Sequence, residues 1–302
     1  MGKGMLIIIA GFAASFGILA QGKNQRFVES VDRMVNRYGD YTARNATTSG
    51  AHMALNQLYL NSAWRTGYNN LSIGGNTFSV TIQDQNQVPA LGPYKLKILS
   101  SGGNADASNA AEVTLFTQRF QQFAVWAKDS VRSVTSQDSN GVDNAALTME
   151  EAPFMPKIAK ASLLSAATTQ LHYYNGNFQP TDGFPNGDFY VLGMVPNVTY
   201  VTGNLRVSKN TTIYGIYVVD GNVVLKQNAK IEGILYLPNA SSLTDIGGVD
   251  AGDSDVNGGV VTWGVINGNG YEITVKHFPE YWRALVNNYA ANNPPLRVLS
   301  WK

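Results

Sequence analysis

The stretch Val201–Leu237 carries one pattern twice, and this limits the fold more than any other feature of the chain. Thr202-Gly203-Asn204-Leu205-Arg206-Val207 is answered by Asp220-Gly221-Asn222-Val223-Val224-Leu225. Asn210 is answered by Asn228, Ile213 by Ile231, and Gly215-Ile216 by Gly233-Ile234, each time 18 residues later. Alternating apolar residues between Gly-Asn corners at a fixed period predict successive coils of a β-solenoid. One coil cannot bury its own inward row, so coils must stack. Thr262-Trp263-Gly264-Val265-Ile266 reads as a third, partial copy. Its Gly264 follows Gly233 by 31 residues, one period plus a 13-residue polar insertion between Pro238 and Gly259. A body stacked in this way is expected to be rigid and non-catalytic.

Composition agrees with that expectation. Apolar residues make up 44% of the 302, enough for a real core, whereas charged residues are only 14%, against about 25% in ordinary soluble chains. Gly, Asn, Ser and Thr fill the difference, as in exported β-rich and surface-layer proteins. A net charge of +1 argues against nucleic acid, which asks for a basic face. There is no cysteine, so disulfides, thiolate metal sites and thiol nucleophiles are excluded.

The N-terminus carries a second strong signal. Met1–Gly4 is a short basic start that reads as a leader. Met5 to Ala20 follows as 16 uncharged residues, slightly under the roughly 20 that span a bilayer alone. Three readings compete: a secretory signal cut after Ala20, a signal anchor, or a retained helix packed in the core of a filament. Beyond it, Phe27, Val31, Met34 or Val35, and Tyr38 recur at helical spacing, as do Ala51, Leu55, Leu58 and Tyr59. No proline interrupts the chain as far as Trp64. Gly39 and Thr47-Thr48-Ser49-Gly50 are points where such a helix could bend. A cleavable signal ends in a short extended region, so an apolar run flowing into a long amphipathic helix favours retention.

These residues resemble a type IV pilin-like subunit: a basic leader ending in Gly, an apolar run and a long amphipathic helix. Ser49–Leu58, with Trp64-Arg65-Thr66-Gly67 after it, is similar to the helix end of large minor-pilin-like proteins of the PilX type. Gly75–Ile82 and Tyr94–Gly102 resemble the strands that follow in that group, where a β-solenoid-like C-terminal half also occurs. The resemblance implies an extracellular, cell-surface filament subunit, held in the inner membrane before assembly and partnered by copies of itself. It also implies cleavage after Gly4. The fifth residue would then be Ile9, where the family usually has Glu, and no acid precedes Glu29.

The expected fold class is therefore α+β. A leader (1–4) and a long helix (5–66, apolar over 5–20) lead into an α+β platform (67–134). A linker with a helix (135–187), a β-solenoid (188–276) and a C-terminal cap (277–302) follow. In the platform, Phe78, Val80 and Ile82, then Tyr94, Leu96 and Ile98, alternate as strands. Ser100–Ala110 reads as a loop, Glu112–Phe116 as a strand, and Phe120–Ala127 as a short helix. Lys157–Leu171 and Phe278–Ala291 read as helices, the latter stopped by Asn292-Asn293-Pro294-Pro295 and capping the solenoid.

Candidate sites are few. Asp253-Ser254-Asp255-Val256-Asn257-Gly258 matches the first half of a calcium loop, with Asp253, Asp255 and Asn257 as ligands and Asp245 and Asp250 nearby. Position twelve is Gly264 instead of the closing Glu, so a solvated Asp/Asn/Gly loop is the preferred reading and no other cofactor is expected. Asp138–Asp143 reads as an Asx turn. His52, His172 and His277 read as three unrelated imidazoles. Sequons stand at Asn45, Asn70, Asn197, Asn210 and Asn239, with Asn210 and Asn239 on expected corners the best glycosylation candidates. No serine-elbow, metalloprotease or phosphate-loop motif occurs, and Glu232 lacks a partner acid. The chain is therefore expected to be a non-enzymatic structural subunit that assembles through Ile7, Ile8, Phe12 and Phe16. The alternative is a membrane-anchored or secreted adhesin whose aromatic residues, Tyr200, Tyr214, Tyr217, Tyr236 and Trp263, stack on surface polysaccharide.

Overall fold

The computed structural model describes residues 2–104, 107–191, 195–245, 253–290 and 294–302. The chain is α+β and forms two compact units, Met1–Thr117 with Leu296–Lys302, and Gln118–Pro295. The first boundary falls at Thr117, earlier than the expected 134, because residues 125–137 pair with strands of the second unit.

In the first unit, α1 runs unbroken over Gly2–Leu60, about 88 Å at 1.5 Å per residue. It stops short of the expected residue 66 because Asn61 turns the chain, its Oδ1 accepting from the Ala63 N–H at 3.1 Å. Four strands follow, β1 (Tyr68–Ile73), β2 (Asn76–Gln83), β3 (Lys95–Gly103) and β4 (Ser108–Phe116). With the last strand of the chain, Arg297–Trp301, they form an antiparallel sheet in the order β1-β2-β3-β4-last. The alternation read from the sequence sets its faces. Phe78, Val80, Ile82, Leu96, Ile98, Val113 and Leu115 pack with Ala46, Ala51, Ala54 and Leu58 of α1. The loop expected over Ser100–Ala110 is instead the β3–β4 hairpin, where the Asn104 N–H donates to the Ala107 carbonyl at 2.9 Å. Its glycines are held close by neighbouring backbone: a Cβ at Gly102 would meet Thr77 and Phe78 of β2, and one at Gly103 would meet Ala107 and Ser108.

Gly50 is a point of close approach. A Cβ at Gly50 would collide with the Phe78 ring and the Ser100 hydroxyl. The Thr47–Gly50 patch, read as a weak point, is thus one of the contacts that seat the helix on the sheet. Thr47, buried, returns its hydroxyl to the Arg44 carbonyl at 2.9 Å, so no polar group is stranded. Elsewhere in a helix interior, Gly→Ala is worth about 0.8–1.0 kcal/mol of added stability. Gly50→Ala is expected to do the opposite and destabilise this unit by about 1–3 kcal/mol through overpacking. The measurement is the thermal midpoint of the variant; a rise would show that Phe78 moves aside freely.

The second unit opens with β5 (Val125–Ala127), β6 (Val131–Arg132), β7 (Val134–Gln137), β8 (Thr148–Met149) and helix α2 (Lys160–Thr169). Then come β9 (Tyr173–Tyr174), β10 (Val198–Val201), β11 (Leu205–Val207), β12 (Thr212–Val219) and β13 (Val223–Leu225). The series ends with β14 (Lys230–Leu237), β15 (Leu243–Asp245), β16 (Ser254–Thr262), β17 (Ile266–Asn267), β18 (Ile273–His277) and helix α3 (Pro279–Tyr289). All of its strand ladders are parallel, in two sheets ordered β7-β18-β16-β14-β12-β10-β9 and β11-β13-β15-β17-β6. Matched residues stand opposite one another: Ile213, Ile231, Val256 and Val275 in one ladder, and Leu205, Val223, Leu243 and Ile266 in the other. These rows build one buried core, at about 1.5–3 kcal/mol for each large apolar side chain removed from water. Over Ile216–Val219 and Ile234–Leu237 both sheet faces are buried, so those stretches read as continuous apolar runs.

The 18-residue spacing holds between Ile213 and Ile231, then lengthens to 25 between Ile231 and Val256. The insertion is therefore seven residues, not 13. Gly258, not Gly264, continues the Gly215–Gly233 row, and a Cβ on Gly264 would meet Ser241 at a different corner. The Gly-Asn corners are tied from coil to coil. Asn177 Oδ1 accepts from the Asn204 N–H at 2.9 Å, Asn204 Oδ1 from the Asn222 N–H at 2.8 Å, and Asn222 Oδ1 from the Ser242 N–H at 2.9 Å.

Three further expectations are corrected here. Phe120–Gln122 is a single 3-10 turn and Val125–Ala127 a strand, because an open sheet edge at β16 is there to be paired. Winding starts at β9, inside the expected linker. The end of the stack is covered by residues 125–137, with β5 on β16, β6 on β17 and β7 on β18, and not by residues 277–302. Strands satisfy the unpaired backbone groups of an open edge and a helix cannot. Helix α3 lies instead against β14 and β16, with the Trp282 ring over Gly259. Of the residues expected to stop that helix, Asn292 and Asn293 lie outside the described residues.

Candidate functional site

The apolar segment of α1 is the surface that most needs an explanation. From Met5 to Ala20 every residue is exposed. Ile7 is 74% exposed, Ile8 60%, Phe12 63% and Phe16 70%. All four stand on one continuous helix, as the sequence requires, and no titratable side chain occurs among these 16 residues. The polar groups present are satisfied within the helix: the Ser15 hydroxyl donates to the Gly11 carbonyl at 2.8 Å. A helix makes its backbone hydrogen bonds internally, so it can enter an apolar surrounding without stranding them. By length and composition α1 can cross a membrane, and nothing in the described chain covers its apolar part. Its other end is anchored, with Ala43, Ala46, Ala51, Ala54 and Leu58 buried. The arrangement is a long lever with a sticky free end and a seated base.

The phase of the helix was harder to see from sequence. Phe27, Val31, Met34 and Tyr38 look like the start of the stripe that continues at Ala51 and Leu58. At 3.6 residues per turn they lie on the opposite side, and they are exposed whereas the lower residues are buried. Comparing the phase of the two stripes, not their spacing, was the available signal.

Of the calcium candidates, Asp255 and Asn257 fall on a strand and Asp253 immediately precedes it. Ser254–Thr262 is β16, so the expected loop is corrected to an extended segment, in which alternate side chains line up along one face instead of converging. Asp255 stands opposite Lys230 and Thr274. Asp253 Oδ1 accepts from the Glu272 N–H at 3.4 Å, and the Asn257 amide donates to Glu232 Oε1 at 2.9 Å. Asp245 is buried and receives the Ser254 hydroxyl at 2.8 Å; Asp250 lies outside the described residues. Among the described residues no three His, Asp or Glu side chains gather as a metal site would need.

The remaining candidates are scattered. Asp138 caps an Asx turn, its Oδ1 accepting from the Asn140 and Val142 N–H groups at 2.9 Å each; the Val142 bond leads in holding its carboxyl below the usual range. His52 stacks near Trp301 at 4.8 Å, and His172 packs on Phe184 at 5.3 Å. Burial pushes the His172 imidazole down. His277 Nε2 donates to the Gln121 carbonyl at 2.8 Å. Asn210 and Asn239 are exposed at corners, but both amides have partners. The Asn210 Oδ1 accepts from Asn228 at 2.9 Å, and the Asn239 amide donates to the Asp220 carbonyl at 3.0 Å. Of the aromatic residues considered for sugar stacking, Tyr200, Tyr217 and Tyr236 are buried. Burial pushes the Tyr236 phenol up to about 12. Tyr200 donates to Asp220 Oδ2 at 2.9 Å, and Lys160 holds Oδ1 of the same carboxylate at 2.7 Å. This triad ties α2 to the sheet and leaves little of Tyr200 for a ligand.

No family model matches the chain, and no curated protein matches it. Among solved structures, the crystal structure of the competence-associated pilin ComZ from Thermus thermophilus is similar at 10% identity and a TM-score of 0.32, over 88% of this chain and 97% of that one. A likeness that slight carries neither a fold nor a function across, and the site rests on its own geometry.

Proposed function

We infer that this chain is a structural subunit of a pilus-like filament at the cell surface, pilin-like in organisation. It polymerises through the apolar part of α1 and displays its β-rich units outside. The observation that carries this reading is the exposed run Met5–Ala20 on a helix whose base is anchored in a folded unit. In water such a run is a large uncompensated apolar surface. In the core of a polymer, copies of the same run cover one another, at about 25 cal/mol per Å² of apolar area before entropy costs. Before assembly the same run would hold the subunit in the inner membrane. The parallel ladders of the second unit, repeating at 18 residues, support a β-solenoid as the displayed body. The role is structural and not enzymatic, with no cofactor. The buried state of Tyr200, Tyr217 and Tyr236 counts against the polysaccharide-binding alternative.

The test is intact mass and N-terminal sequencing of material sheared from the cell surface. A sedimenting polymer whose chains begin at Met1 or Met5 is expected. A soluble monomer beginning at Gln21 would overturn the reading, since the apolar run would then be an export signal alone.

A further inference from the structure

The second unit contains every Asn-Gly pair of the chain: residues 140–141, 175–176, 186–187, 257–258, 267–268 and 269–270. Such a pair carries its own chemistry. The backbone nitrogen of the glycine can attack the side-chain carbonyl carbon of the asparagine and close a five-membered imide. Glycine obstructs this least, having no Cβ, and its backbone turns most freely. The reaction needs that nitrogen out of any hydrogen bond and the peptide free to rotate. Five of the six pairs fail this condition. The Gly141 N–H donates to the Asp138 carbonyl at 3.0 Å, Gly187 to the Gly183 carbonyl at 2.6 Å and Gly268 to the Arg132 carbonyl at 3.1 Å. The Gly176 N–H donates to the Thr202 hydroxyl at 2.8 Å. Asn257-Gly258 lies inside β16 with β14 and β18 on either side, and Asn257 is buried.

Asn269-Gly270 differs from all of these. It forms the tip of the turn between β17 and β18, closed by the Tyr271 N–H on the Gly268 carbonyl at 2.8 Å. Both central residues have positive φ, +53° at Asn269 and +89° at Gly270, as in a type I′ turn. The closing bond does not use the Gly270 N–H, and no group among the described residues accepts it. Both residues are exposed, so water has access. A Cβ at Gly270 would stand in open space, so nothing resists rotation of the peptide onto the Asn269 side chain. The Asn269 amide donates to the Asp245 carbonyl of β15 at 3.1 Å, which ties this corner to the coil beneath it.

We propose that Asn269 is a self-modification site, the place where this stack converts an amide into an acid without an enzyme. The Gly270 nitrogen bonds to the Asn269 Cγ and gives up its proton. The Cγ–Nδ2 bond breaks, and Nδ2 leaves as ammonia. Water then opens the imide at either carbonyl, giving aspartate or isoaspartate at position 269, and water is the one co-reactant. The product loses the donor that held the Asp245 carbonyl. It also places a carboxylate on a corner that already carries the exposed acids Asp253 and Glu272, and isoaspartate lengthens the backbone of a tight turn. The change runs one way and loosens the tie between the last coils. It needs no filament, so it stands apart from the function proposed above.

The test incubates the folded full-length chain, held in detergent, in water enriched in heavy oxygen at neutral and mildly alkaline pH. Peptide mapping with electron-transfer fragmentation follows each Asn-Gly pair over time and tells aspartate from isoaspartate. Both products are expected at 269, each carrying the heavy oxygen. The rate there is expected to exceed that at each of the other five pairs by about tenfold or more, the weight of one backbone hydrogen bond in a barrier. In the unfolded chain the six rates are expected to converge. Asn269→Gln, which would have to close a larger ring, is expected to stay unmodified in the folded protein. A folded chain that reacts at 269 no faster than at the tied pairs overturns the proposal. So does a preference for 269 that persists after unfolding, because sequence and not the turn would then set it, and so does a product without the heavy oxygen.

Discussion

Cells carrying Ile8→Asp are expected to make no filaments while the folded units of the subunit keep their stability. Ile8 is 60% exposed and touches neither unit's core, so its replacement costs the subunit itself almost nothing. In an assembled polymer the same position lies among the apolar runs of neighbours. There the substitution forfeits about 1.5–3 kcal/mol of apolar burial and adds several kcal/mol for a carboxylate without a cation nearby. Together these make about 5 kcal/mol or more per subunit, several thousandfold in an association constant. Every subunit carries the defect, so elongation fails at each addition. Ile8→Leu keeps volume and polarity and is expected to assemble normally. The readout is negative-stain microscopy of sheared material, with the thermal midpoint of detergent-solubilised protein as the folding control. Normal filaments from the Asp variant would remove the apolar run from the assembly contact.

Gly233→Val is expected to unfold the second unit. Gly233 sits in register between Gly215 and Gly258, with φ near +157°. A Cβ there would run into the Gly215 backbone carbonyl of the adjacent coil. Backbone atoms in a parallel ladder cannot yield without breaking the hydrogen bonds that hold the coils together. The cost combines a side chain in a conformation reserved for glycine, about 1–3 kcal/mol, with overpacking of about 1–3 kcal/mol. A β-branched residue brings the upper end of both, and about 4–6 kcal/mol is a large part of a domain's stability. Gly176→Val separates the two effects. Its φ is +113° but its Cβ would stand in open space, so only the conformational part applies. Soluble yield and thermal unfolding of both variants are the measurements. Equal midpoints for the two would show that the coils have room between them.

The parts of this fold that were legible beforehand are those written in neighbouring residues. The 18-residue repeat placed Ile213 opposite Ile231 and Leu205 opposite Val223 because a stacked coil reports its geometry within its own length. The helix of α1 and the alternation of Phe78, Val80 and Ile82 were equally local. The exposed apolar run needed only composition. What sequence alone misplaced depends on pairing across long separations. Residues 125–137 cover the end of the stack, and Arg297–Trp301 joins β4, because open strand edges attract whatever backbone is free, and no pattern inside either segment names its partner. The Asp253–Gly258 stretch had the composition of a loop, yet β14 beside it held it as a strand. Gly50 looked like a flaw in a helix until the Phe78 ring lay against it. Local periodicity determined the long helix, the stacked coils and the faces that β2 and β3 bury. Only the tertiary structure decided which edges meet and which glycines are contacts, since those choices turn on backbone hydrogen bonds and close approaches between residues far apart in the chain.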